Sequence, residues 1–186
     1  SAASDVYKRQ DLLGDLQLAA HWTSTGMRID SLHLQRDDLK LTVQGDLQPE
    51  GDWPLQLQAQ LQLPAVEGKP WQLALTATGD LQKTLKLAGT SSGYLDATLN
   101  GQLQALAEHL PATLQIRSEA FKPAGALPDT LQLNQLKLDA KGDLLKGYLL
   151  SGTASLPAEQ SPIALALSGL VDSKGARLDA LDLSLI

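Results

Sequence analysis

Residues Trp53 to Leu63 read WPLQLQAQLQL, and this stretch decides the fold. Its odd positions are Trp53, Leu55, Leu57, Ala59, Leu61 and Leu63. Its even positions are Pro54, Gln56, Gln58, Gln60 and Gln62. Successive side chains of a strand point to opposite faces, so the segment has one apolar face and one amide face. A helix would spread the same residues around its whole circumference.

The alternation recurs outward in both directions. Leu39, Leu41 and Val43 precede Gly45. Trp71, Leu73, Leu75 and Ala77 precede Gly79. Leu85 and Leu87 precede Gly89, and Leu95, Ala97 and Leu99 precede Gly101. Later runs hold Leu131, Leu133, Leu136 and Leu138, then Tyr148 to Leu156, Ile163 to Leu167, and Leu181 to Leu185. The phase slips by one between Leu133 and Leu136, the signature of a bulge or bend. Clusters of Gly, Pro, Asp and Ser separate the runs, as at Pro49 to Asp52, Pro64 to Pro70, Thr90 to Gly93, Pro123 to Pro128, Pro157 to Pro162 and Asp172 to Gly175. Such short connections favour an antiparallel meander over crossover helices. Leu103 to Leu110 has the spacing of one or two helical turns, ended by Pro111. The expectation is an all-β chain, a meander of about eleven or twelve amphipathic strands with at most that one short helix.

A repeat runs through the pattern. Gly14 to Gln17, Gly45 to Gln48 and Gly79 to Gln82 are the same tetrapeptide, Gly-Asp-Leu-Gln, and the segments starting at Gly101 and Gly142 are close variants. Recurrence about every three strands implies an array of like units. A glycine at a fixed place in each unit suggests a bend or bulge there.

Composition narrows the class. The chain has 186 residues and 41 leucines, yet only three Trp, three Tyr and one Phe. Its apolar surface is therefore aliphatic, as in a long smooth face, whereas aromatics usually contribute heavily to a close-packed core. The formal net charge is −6 and the basic residues are scattered, which argues against a nucleic-acid partner. Without cysteine there is no disulfide framework or thiol chemistry. No apolar run approaches the ~20 residues of a membrane helix. Ser1 to Gln10 (SAASDVYKRQ) does not share the pattern and is set aside as a non-native or disordered end. Residues 11–186 are read as a repetitive β segment of a larger protein.

Chemistry-bearing constellations are missing. His21, His33 and His109 have no neighbours at metal-ligand spacing and read as solvated strand or turn residues. Adjacent Asp37 and Asp38 suit a turn better than paired catalysis. There is no nucleophile elbow, P-loop or dinucleotide fingerprint. The expectation is a non-enzymatic protein with no cofactor, metal site or catalytic residue.

Two units carry a family resemblance: Leu32 to Leu47 (LHLQRDDLKLTVQGDL) and Leu131 to Leu144 (LQLNQLKLDAKGDL). Each has an apolar pair, a turn or slip, a second alternating run, then Gly-Asp-Leu. The style covers residues 12–186 and resembles the TamB family, the translocation and assembly module subunits, within the wider AsmA-like group of envelope proteins. The resemblance implies a β-structure folded lengthwise into an aliphatic groove in the periplasm of a Gram-negative bacterium. It implies an inner-membrane anchor and conserved end domain not evident in this chain, and roles in phospholipid transport, protein secretion and outer-membrane biogenesis. A TamA-like outer-membrane barrel is the implied partner, reached through other parts of the protein.

Physics leads to a similar shape. A sheet with one long leucine face must bury it, and sheets beyond about ten strands curl or split. A curled sheet with leucine inside is an open trough, and each acyl CH₂ buried in it contributes about 0.8 kcal/mol. Leu55, Leu57, Leu61, Leu63, Leu73, Leu75, Leu85 and Leu87 are the candidate lining for phospholipid acyl chains, with Gln56, Gln58, Gln60 and Gln62 facing water. Competing readings are a scaffold or chaperone-like module that takes client strands by β-augmentation, an outer-membrane barrel, which wants aromatic girdles, and a closed soluble sandwich.

Overall fold

The computed structural model describes residues 4–11, 14–125, 127–128 and 131–186. Among these there is no helix, and thirteen strands form one antiparallel sheet whose spatial order is the chain order. They are β1 (Ser4–Asp11), β2 (Gly14–Thr23), β3 (Gly26–Arg36), β4 (Leu39–Leu47), β5 (Pro54–Val66), β6 (Lys69–Asp80), β7 (Leu85–Gly93), β8 (Ala97–Leu103), β9 (Ala112–Phe121), β10 (Leu133–Asp143), β11 (Gly147–Leu156), β12 (Ile163–Asp172) and β13 (Gly175–Leu185). Residues 14–186 thus hold the expected twelve. The thirteenth, β1, lies in the stretch that the alternation does not cover and pairs with β2 from Ser4↔His21 to Asp11↔Gly14.

The sheet is open. Each strand packs substantially only on its sequence neighbours, with no return of late strands onto early ones. This removes the closed sandwich and the closed barrel as descriptions of this chain. At 4.7–4.9 Å per strand the sheet extends about 60 Å across its strands.

The two faces differ as the alternation requires. In β5, Leu55, Leu57, Ala59, Leu61 and Leu63 are half-buried, while Gln56, Gln58, Gln60 and Gln62 are exposed. With no second sheet above them, the leucines owe this burial to one another, as on the inside of a curl. Bulges supply bending. One extra residue enters β3 near Asp30, β5 near Pro64, β10 at Gln135 and β13 near Asp179. The β10 bulge falls at the slip between Leu133 and Leu136, and Gln135 takes φ 50° to make it. Asp37, at φ 47°, turns β3 into β4, the turn role read for Asp37 and Asp38.

Three expectations are corrected. Leu103 to Leu110 forms no helix. β8 runs through Leu103, and the following residues make an irregular turn with His109 at φ 63° and Leu110 at φ 49°. Two successive left-handed residues are incompatible with a right-handed helix. Trp53 does not begin the strand: at φ 63° it closes the preceding turn, and β5 starts at Pro54. Not every Gly-Asp-Leu glycine marks a bulge: Gly79 and Gly142 pair without a register shift on both sides, whereas Gly45 pairs with Ile29 at the edge of the β3 bulge.

At Gly79 and Gly142 the Gly-Asp-Leu motif ties turns together. The N–H of Leu81 donates to Trp53 O at 2.8 Å, and the N–H of Leu144 donates to His109 O at 2.7 Å. In both cases the motif's leucine reaches the left-handed residue of the preceding turn on the same sheet margin. Lys83 adds an ion pair to Asp52 at 3.1 Å, which raises the lysine pKa mainly through their hydrogen bond.

Candidate functional site: an aliphatic groove

Residues directly opposite in an antiparallel pair share a face, so the register can be followed from strand to strand. One row runs Leu32, Val43, Ala59, Leu75, Gly89, Leu99, Ile116, Leu138, Gly152, Leu167 and Leu181, crossing β3 to β13 without a polar side chain. The next row runs Gly45, Leu57, Ala77, Leu87, Gly101, Leu114, Ala140, Leu150 and Gly169. Large and small residues alternate in it from β4 to β12. Side chains converge on the inside of a curl, and a small residue beside each leucine relieves that crowding, as in small barrels.

The glycines show how tight the fit is. A Cβ on Gly45 would come 2.8 Å from Leu57 Cδ2, one on Gly152 would come 2.7 Å from Leu138 Cδ2, and Gln56 O approaches the Gly45 position closer still. Neighbouring leucines therefore lie over the glycine backbones.

All eight leucines singled out from the alternation fall on this face. Leu57 and Leu87 flank Ala77, Leu61 faces Leu73, Leu63 faces Trp71, and Leu55 and Leu85 flank Gly79. Leu85 is 4% exposed and the other seven are half-buried. The sheet also brings together residues of the later alternating runs that were not among the candidate lining. Leu136, Ala154 and Leu165 form a small buried cluster with Phe121, Leu133 and Leu138.

The opposite face is polar and laced by surface pairs. His21 Nδ1 lies 2.7 Å from Asp30, Arg28 lies 3.2 Å from Asp46, and Arg117 donates to Asp139 at 2.8 Å. His33 bonds Thr42, and His109 lies in a turn, so the three histidines take strand and turn places. Among the described residues no three His, Asp or Glu side chains gather as a metal site, and no helix is long and apolar enough to cross a membrane.

The strand ends form the two lips of the groove, and aromatic residues collect there. Trp22, Trp53 and Tyr148 sit at one lip, and Trp71, Tyr94 and Phe121 at the other. At the second lip the three rings stack edge to face, Trp71 to Tyr94 at 5.3 Å and Tyr94 to Phe121 at 5.2 Å. Trp71 Nε1 donates to buried Ser91, which donates to Leu95 O. The Tyr94 hydroxyl accepts the Ala124 N–H at 2.9 Å, and Glu67 accepts the Gly125 N–H at 3.1 Å. The connection after β9 is thereby tied back to the β5–β6 turn.

A one-layer antiparallel meander with a continuous aliphatic face and laced margins defines the class of repetitive β-groove proteins. The chain belongs to the TamB family: residues 6–186 match the family described as TamB, N-terminal domain. It is similar to the translocation and assembly module subunit TamB of Haemophilus influenzae (strain ATCC 51907 / DSM 11121 / KW20 / Rd), with 27% identity over 147 residues. That match covers 72% of this chain and 11% of the relative, so the chain spans about a tenth of the relative's length. No solved structure matches it.

Proposed function

We propose that the aliphatic face conducts phospholipid acyl chains, as one segment of a bridge between the inner and outer membranes of a Gram-negative cell. The observation that carries this reading is the apolar row from Leu32 to Leu181, unbroken by any polar side chain over eleven strands. A pocket built for one small molecule carries a few fixed polar groups. A face without them suits a ligand that slides. In this reading Leu55, Leu57, Leu61, Leu63, Leu73, Leu75, Leu85 and Leu87 line the conduit. The segment works in the periplasm within a non-enzymatic protein anchored in the inner membrane, and it supports outer-membrane biogenesis with a TamA-like barrel as partner. The name of the Haemophilus relative, a translocation and assembly module subunit, fits that setting.

Native mass spectrometry of the purified chain tests the reading. Co-purified phospholipid that leaves when Leu57 is changed to Asp supports it. A lipid-free chain that exchanges no lipid with vesicles would remove it and leave a scaffold that receives client strands.

A further inference from the structure

We infer that a phospholipid in this groove presents its phosphate headgroup at the lip formed by Trp71, Tyr94 and Phe121, and not at the opposite lip. The inference rests on the conduit reading above and adds a sidedness to it. Six of the chain's seven aromatic residues lie at or within two residues of strand ends or in turns, and the central rows hold none of these six. Tryptophan and tyrosine rings favour the level where hydrocarbon meets polar headgroups. That distribution marks the lips as the boundary between acyl chain and water.

The two lips differ in what stands beside the rings. At the first, Trp22, Trp53 and Tyr148 come from separate places; Lys83 there is held by Asp52 at 3.1 Å, and exposed Lys146 lies two residues from a single ring, Tyr148, where no ring cluster stands. The only ring-to-ring contacts among the described residues are the two at the second lip. There the trio adjoins a cleft lined by Lys69, Lys122, Tyr94 and Glu67. Lys69 and Lys122 are exposed and close to where the apolar face ends, so their ammonium groups suit a phosphate held just outside the rings. Glu67 has the opposite charge, but its carboxylate accepts the Gly125 N–H, which fixes it on the connection after β9. Rings on the apolar side and lysines on the wet side match the two halves of a diacyl phospholipid. A free fatty chain would use only the first, and free phosphate only the second.

The test uses the whole chain with vesicles of phosphatidylethanolamine and phosphatidylglycerol, doped with a phospholipid carrying a photoreactive diazirine either on the headgroup or at the tail end. The expected result is headgroup adducts on Glu67 to Trp71 and Phe121 to Gly125, with tail adducts on mid-strand residues such as Leu75 and Leu99. The Lys69→Glu, Lys122→Glu double variant should lose headgroup adducts about tenfold and keep an unchanged melting temperature. Headgroup adducts on Gln48 to Trp53 or Leu81 to Thr84, or spread evenly over both lips, would overturn the sidedness and leave the conduit standing. So would headgroup adducts at the proposed lip that the double variant leaves undiminished. Absence of tail adducts from the apolar face would remove the conduit, and the inference with it.

Discussion

Gly89 on β7 stands directly across from Leu75 on β6, and a Cβ on Gly89 would come 2.5 Å from Leu75 Cδ2. The leucine side chain occupies the space over the glycine backbone, so Leu75 owes part of its half-buried state to a missing methyl.

Gly89→Ala should therefore cost about 2–3 kcal/mol, because the new methyl meets both the leucine and the neighbouring backbone. Urea unfolding with an unchanged m-value measures it. A cost under about 0.5 kcal/mol would mean the sheet relaxes freely at this point. Gly51→Ala is a useful contrast. Its Cβ meets nothing within 4 Å, so its expected cost of about 1 kcal/mol comes from φ 60° alone.

Leu57→Asp separates a groove from a core. In an open groove the carboxylate keeps its water, and the loss is that of a half-buried leucine, about 1–2 kcal/mol. In a closed core the buried unpaired charge would unfold the chain. The expected pair of results is a modest fall in melting temperature and loss of crosslinking to a tail-labelled phospholipid. Normal lipid uptake by a folded variant would count against conduction.

The tie between Leu144 and His109 predicts a stabilising change. His109 holds φ 63° while its carbonyl accepts the Leu144 N–H at 2.7 Å. His109→Gly keeps that carbonyl and removes the strain of a left-handed histidine. The expected gain is about 0.5 kcal/mol after the flexibility that glycine adds to the unfolded chain, seen as a higher urea midpoint. A lower midpoint would show that the imidazole itself holds the turn.

Arg117 and Asp139 lie on the polar face with side chains 40% and 50% exposed. Water screens such a pair, so a double-mutant cycle should give a coupling of about 0.2–1 kcal/mol that shrinks in 1 M salt. The single change Arg117→Ala should cost more than the coupling, because Nη1 also donates to Ile116 O at 2.9 Å.

Much of this architecture was legible because period two is a local property. WPLQLQAQLQL needs no distant information to assign its faces, and the slip at Leu133 to Leu136 located the β10 bulge. The turn after Leu103 was harder, since four apolar residues at helical spacing say nothing of the left-handed pair at His109 and Leu110. The alternation of leucine with glycine and alanine across β4 to β12 was hidden for a different reason. It exists only between strands, and it emerges once every register is known. The same holds for Trp71, Tyr94 and Phe121, which are separated by more than twenty residues at each step and meet only because β6 to β9 are neighbours.

Strand order that equals chain order has a kinetic meaning. Every hydrogen-bonded ladder joins segments that follow one another directly, so the entropy of closing each connection is small. Low contact order of this kind favours rapid nucleation at any hairpin, followed by zippering outward one strand at a time. A chain delivered end first can then begin to fold before its remainder arrives. A defect in one hairpin should likewise stay confined to it and its two neighbours, leaving distant ladders protected against hydrogen exchange.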